Sequence, residues 1–329
     1  MNRLVWVDYL KTIGIIAVVF GHTRMPLSLV EWIYSFHMPL FFILSGVLLA
    51  NVQFNVGLAE FYQKRISKLL YAYCIFSAIG AFHYLLTSQL GNVQEDILNV
   101  LYMRMLSICY GSATVRDPFT LYPEVLWFFP ALILGLFLFY LIKRFFVRFE
   151  WPLCFLCLLL GFVLRNTILP WEFETALCAV FFIFLGSEFC AIRKSIYLNP
   201  KNPYWIGMVL LISGWVLSHW NGRIDFRNSQ FGNILISFPS AVLTILGLYF
   251  IFHKASALMF ITRISNATLL IFPIHILAFW GIDMILIKMY GTCNLGCFYE
   301  SVKSILVIGI IVSFSPYLIQ ILRLNSNKQ

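Results

Sequence analysis

The sequence is short of charge. Only 11% of its 329 residues are Asp, Glu, Lys or Arg, where a soluble globular domain carries about 25%. That deficit, with 61% hydrophobic residues and a mean hydropathy of +0.86, excludes an ordinary water-soluble domain. Acid is scarcer than base: 14 Asp and Glu stand against 23 Lys and Arg, a net charge of +9. No Pro/Ser-rich linker, charge block or internal repeat divides the chain, so it reads as one domain over 1–329 with no separate soluble part. The alternating short strands of a membrane barrel are also missing. The first apolar run lacks a small-residue cleavage site and has charges inside it, so it is read as a mature span and not a signal peptide.

What is present is a series of apolar runs of about 20 residues, each long enough to span a bilayer. Ten are read, over 5–23, 34–52, 69–90, 125–146, 151–169, 173–192, 203–220, 233–252, 266–287 and 302–322. The expected fold is therefore all-α, a polytopic integral membrane bundle of about ten transmembrane helices. The connection 91–124 is the longest and holds "EDILNVLYMRML", read as a helix lying on the surface or re-entering the membrane. The basic residues are scattered between spans, which argues against a nucleic-acid partner and for topology signals. "QKRISK" and "IKRFFVRF", each directly after a span, place both termini in the cytoplasm.

The eight cysteines are no disulfide framework. Cys74, Cys154, Cys157, Cys178 and Cys190 fall in spans, where cysteine behaves as a small apolar residue. The Cys154/Cys157 pair has no histidine near it, and catalytic zinc would need three clustered ligands; no metal is expected. Cys293 and Cys297 share a short loop placed outside, where a disulfide is open.

Within this apolar background "VDYLKTIGIIAVVFGHT" carries Asp8, Lys11 and His22. Ionisable residues inside a span are costly and mark function by default. Lys11 and His22 are eleven residues apart, about three turns, so they leave one face about 16 Å apart along the axis. Asp8 is three residues before Lys11, within pairing distance; it is about 21 Å from His22 and cannot form a dyad with it. The bland alternative is a snorkelling ion pair and an interfacial histidine. In "YSFHMPLFFILSGVLLA", His37 falls near the same outer face as His22, Pro39 loosens the helix, and Ser45-Gly46 offer small-residue packing or a polar handle. Lys64, Arg65 and Lys68 cluster at the inner face, either as a topology anchor or as a grip for phosphates.

In order along nearly the whole chain, "WVDYLKTIGIIAVVFGH", "FHMPLFFILSG", "KRISKLL", "LWFFPALI" and "ATLLIFPIHI" resemble the motifs of the membrane acyltransferase-3 family, in its short fucose 4-O-acetylase-like branch. "LPWEFETALCAVFFIFLG" and "FGNILISFPSA" are similar to segments of that branch. The resemblance implies an integral membrane O-acetyltransferase in a bacterial cytoplasmic (inner) membrane. Such an enzyme moves acetyl from acetyl-CoA to a sugar hydroxyl of a cell-surface polysaccharide, O-antigen included, or its lipid-linked precursor. Two departures stand out: Lys11 where the family often has arginine, and Lys68 where a second arginine is common, without the proline that often follows. Lysine keeps the charge but loses the bidentate fork.

On that basis Lys64, Arg65 and Lys68 are expected to hold the phosphates of acetyl-CoA, whose pantetheine arm would run past Lys11 toward His22. His22 is the expected base or acyl acceptor, with His37 or Glu124 assisting, Trp127 stacking on sugar or cofactor, and His275 lining the cavity. His83, His219 and His253 are read as interfacial or packed, Glu188 as an inner-rim residue, and Arg165 and "NGRIDFRNSQFGN" as solvated outer segments that could touch glycan. The alternatives are a transporter or flippase for a lipid-linked glycan, against which the lack of inverted repeats counts, and an inactive assembly subunit. Lipid is an expected neighbour; oligomeric state is not legible.

Overall fold

The computed structural model describes residues 3–50, 52, 54–90, 96–113, 120–195 and 202–322, with the side chains of 89, 90 and 190–195 excepted. In chain order its α-helices are α1 (Val5–Gly21), α2 (Leu27–Leu49), α3 (Leu58–Phe61), α4 (Ser67–Leu90), α5 (Ile97–Tyr110), α6 (Phe128–Phe145), α7 (Glu150–Val163), α8 (Phe173–Ser195), α9 (Pro203–Asn221), α10 (Ile234–Phe252), α11 (Met259–Tyr290) and α12 (Cys297–Ile321). The described residues form no β-strand. Each expected span coincides with a helix. Among the described residues seven helical segments are long and apolar enough to cross a membrane: Leu27–Leu49, Leu58–Ser88, Glu124–Phe145, Val147–Asn166, Ile234–Phe252, Met259–Tyr290 and Cys297–Ile321. The fold is a polytopic membrane helical bundle.

Three helices start earlier than the expected spans: α2 at Leu27, α11 at Met259 and α12 at Cys297. In the added turns of α2 and α11, Glu31 bonds His219 and Ser265 bonds Asp8. Pro39 lies inside α2 without ending it. The expected helix in the longest connection is α5, started by Asp96, whose side chain accepts from Leu98 N at 3.2 Å, and ended by left-handed Gly111.

The chain divides into two compact units. The first comprises Met1–Leu44, Arg193–Asp225 and Phe231–Gln329, which hold α1, most of α2, and α9–α12. Here α1 packs on α10, α11 and α12, and α9 on α10. Tyr9 and Thr12 donate to the carbonyls of Ser256 and Ile261 at 2.9 and 3.0 Å, tying α1 to the start of α11. Small residues set the α9/α10 contact. A side chain on Gly207 would meet the Gly247 carbonyl, one on Gly214 would meet Thr244 Oγ1, and Ser240 Oγ donates to Gly214 O at 2.9 Å. Without water to drive apolar association, such backbone approach is how membrane helices gain contact.

The second unit comprises Ser45–Ile192 and Phe226–Gln230. Gly135 of α6 and Gly161 of α7 both face α8, at Ala179 and Cys178 respectively, and Gly46 abuts the Ile183 carbonyl. Gly46 is thus the packing contact expected of Ser45-Gly46. Lys143 pairs with both Glu150 and Glu188. Before α8, Trp171 and Glu172 both take positive φ, 60° and 51°, a conformation costly for non-glycine residues. They are held there by Trp171 Nε1 donating to Cys109 O at 3.0 Å and by Glu172 Oε1 accepting from Ala113 N at 2.7 Å.

Candidate active site

Helical geometry orients three of the first unit's imidazoles in the same way. Nδ1 of His22, His37 and His275 lies 2.7, 2.7 and 3.1 Å from the carbonyl oxygens of Val18, Ile33 and Ile271, four residues back in each case. A carbonyl only accepts, so each Nδ1 carries the proton and donates. In the neutral ring Nε2 is then the lone-pair nitrogen, the one able to take a proton or an acyl group.

The rings are neighbours. His22 at the end of α1 meets His275 of α11 edge-on, with centroids 5.1 Å apart. Tyr34 of α2 is 6.3 Å from His22 and 5.0 Å from His37, so it stands between those two. His37 and His275 are buried, while His22 is exposed. The structure thus links the sequence-singled residues His22 and His37 through Tyr34, and sets His275 against His22. It also adds Arg223, whose guanidinium carbon lies 4.1 Å from the Tyr34 ring centroid. Glu31, buried near the start of α2, accepts from His219 Nδ1 at 3.0 Å. Tyr34 escaped sequence reading because aromatic residues are abundant along this chain and mark no site by themselves; Glu31, an acid three residues before Tyr34 in an apolar helix, was the available signal.

At the other end of α1 the expected Asp8–Lys11 pair is not formed. Asp8 accepts from Arg3 at 2.5 and 3.1 Å and from Ser265 Oγ at 2.7 Å. Arg3 presents a planar fork that matches both carboxylate oxygens at once, which a single ammonium cannot do. That hydrogen bond raises the Arg3 guanidinium above its ordinary pKa. Lys11 is half-buried and makes no hydrogen bond or ion pair among the described residues.

The remaining expected residues lie in the second unit. Tyr62–Ile66 form a π-helical turn, a distortion common at functional sites, and it carries Lys64 and Arg65. Lys64 bonds Glu60 at 2.7 Å as an exposed pair; such pairs contribute only about 0.3–0.5 kcal/mol, so its ammonium can be drawn to another anion. Arg65 is half-buried with no ion pair among the described residues, and Lys68 is exposed. Trp127 is buried in the turn Glu124–Trp127, edge-on to Phe128. Glu124 pairs with Arg227 of the same unit, so its visible partner is a guanidinium and not an imidazole. Tyr122, held by burial above its ordinary pKa, bonds His83 Nδ1 at 3.0 Å. Arg165 lies over Phe162.

Cys293 and Cys297 are free thiols, as are Cys74, Cys154, Cys157 and Cys178; the Cys190 side chain is outside the described residues. Among the described residues no group of three or more His, Cys, Asp or Glu side chains is placed to hold a metal ion.

No curated protein and no solved structure matches this chain. The family model described as an acyltransferase domain matches residues 4–322. The chain is thus a multi-pass membrane acyltransferase and belongs to the acyltransferase-3 family.

Proposed function

We propose that the chain is an O-acetyltransferase of a bacterial cytoplasmic membrane. It moves acetyl from acetyl-CoA to a sugar hydroxyl of a cell-surface polysaccharide or its lipid-linked precursor. The observation that carries this reading is the group of imidazoles linked through Tyr34 and His22, each with Nδ1 tied to a backbone carbonyl so that Nε2 carries the lone pair. A sugar hydroxyl is a poor nucleophile and needs a base that changes charge near neutral pH. His22, exposed while its neighbours are buried, is the residue that can meet substrate.

In the direct route, His22 Nε2 takes the hydroxyl proton as the oxygen attacks the thioester carbonyl. The C–S bond then breaks and the CoA thiolate receives the proton. In the two-step route Nε2 attacks the thioester carbonyl and CoA leaves as the thiolate; the sugar oxygen then attacks the acyl carbon, the C–N bond breaks to release the imidazole, and the hydroxyl proton goes to the thiolate. His275, edge-on to His22, orients its ring in either route. In the second unit, Arg65 supplies a fork with no ion-pair partner among the described residues, and Lys64 and Lys68 supply exposed charge, for the phosphates of the donor.

Two variants test the reading, His22→Ala and His22→Gln, in protein shown to be inserted and folded. Acetyl transfer to cell glycan, read by mass spectrometry, is expected to fall by about 10²–10⁴-fold, the usual contribution of a positioned acid–base group. Product yield equal to that of the parent protein overturns it. Loss of the whole polymer on deleting the gene, in place of loss of acetyl groups from it, would support transport instead.

A further inference from the structure

Arg223 follows α9 by two residues, and the intervening Gly222 takes φ 75° and ψ −172°, backbone space open essentially to glycine alone. That turn lays the guanidinium of Arg223 on the ring of Tyr34, 4.1 Å from its centroid. The other side of the relation is equally fixed: the same ring is 5.0 Å from His37 and 6.3 Å from His22. Nearby, His219 at the end of α9 bonds Glu31 on α2, which anchors the segment that carries Arg223. Stacking uses the face of a guanidinium and leaves its in-plane N–H donors pointing outward. Arg223 is exposed and forms no hydrogen bond or ion pair among the described residues, Glu31 being taken by His219. A cation held flat by a ring and a glycine turn, with its donor edge uncommitted, is built to receive an oxyanion bidentately.

We propose that Arg223, laid on Tyr34 beside His37 and His22, determines acceptor specificity by binding an anionic group, phosphate or carboxylate, on the sugar that is acylated or on its immediate neighbour. This deepens the O-acetyltransferase reading and rests on it. The anion can be the phosphate of a sugar phosphate or lipid-linked sugar, or the carboxylate of an acidic sugar; the chemistry recognised is the same.

The test uses full-length protein in detergent or nanodiscs, acetyl-CoA, and three probes: a neutral methyl hexoside, the matching methyl hexuronide, and the matching methyl hexoside phosphate. The parent protein is expected to favour at least one anionic probe over the neutral one by about tenfold or more in kcat/KM, as one charge-assisted hydrogen-bond pair supplies. In Arg223→Gln that ratio falls to near one, mostly through KM. Arg223→Lys retains only part of it, because lysine lacks the fork. The preferred anionic probe identifies the source. A merely structural clamp predicts that Arg223→Gln lowers all three probes alike and preserves the ratio, which overturns the proposal; so does a parent protein with no preference. Absence of transfer to every probe by parent protein that still binds acetyl-CoA would instead overturn the O-acetyl reading beneath it.

Discussion

Replacing Lys303 by methionine should destabilise this protein more than most single changes. Lys303 is 4% exposed and its Nζ lies 2.9 Å from Asp283 Oδ1 and 2.8 Å from Glu300 Oε2. It also sits 5.0 Å from the centroid of the Phe279 ring, which meets His275 edge-on. Glu300 is 1% exposed, whereas the Asp283 side chain is 30% exposed. Removing the ammonium therefore leaves one carboxylate partly exposed and one buried without compensation. Breaking a buried pair from one side costs about 3–5 kcal/mol, while replacing both members by apolar groups is often neutral or stabilising. At about 2–4 °C per kcal/mol, the scale for domains of 150–250 residues, Lys303→Met should lower the unfolding midpoint by roughly 6–20 °C. The double variant Lys303→Met/Glu300→Leu should recover most of that loss. The assay is thermal unfolding of the detergent-solubilised protein followed by tryptophan fluorescence. A single variant with the parent's midpoint, or a double variant no better than the single, would refute the reasoning.

Three further outcomes are expected. Gly214→Val should cost about 1–3 kcal/mol by forcing α9 from Thr244 and Ser240 of α10, whereas Gly309→Val, with nothing within 4 Å of its Cβ position, should leave the unfolding midpoint unchanged. In double-mutant cycles on unfolding, Asp8→Ala should couple to Arg3→Ala more strongly than to Lys11→Ala, since only the first pair shares hydrogen bonds; the reverse order would restore the Asp8–Lys11 pair. Arg65→Ala should weaken acetyl-CoA binding by about tenfold or more in calorimetry, with Arg65→Lys intermediate because it keeps charge but not the fork; unchanged affinity would remove Arg65 from the donor site.

The sequence by itself determined that the chain is a helical membrane bundle, because the solvent imposes it. Apolar runs of span length have to satisfy their backbone groups internally, and in lipid a helix does so without help from other segments. It also determined which residues were worth watching, since His22, His37 and Lys11 stand out where charge and polarity are costly. Partner choice was a tertiary decision. Asp8 and Lys11 are neighbours in the helix, yet Asp8 is taken by Arg3 and by Ser265, which lies far along the chain. The meeting of His22 with His275 depends on α11 packing against α1. The placing of Arg223 on Tyr34 depends on a left-handed glycine after α9. Helical periodicity reaches three or four residues; which distant side chains face one another is set by the packing of whole helices.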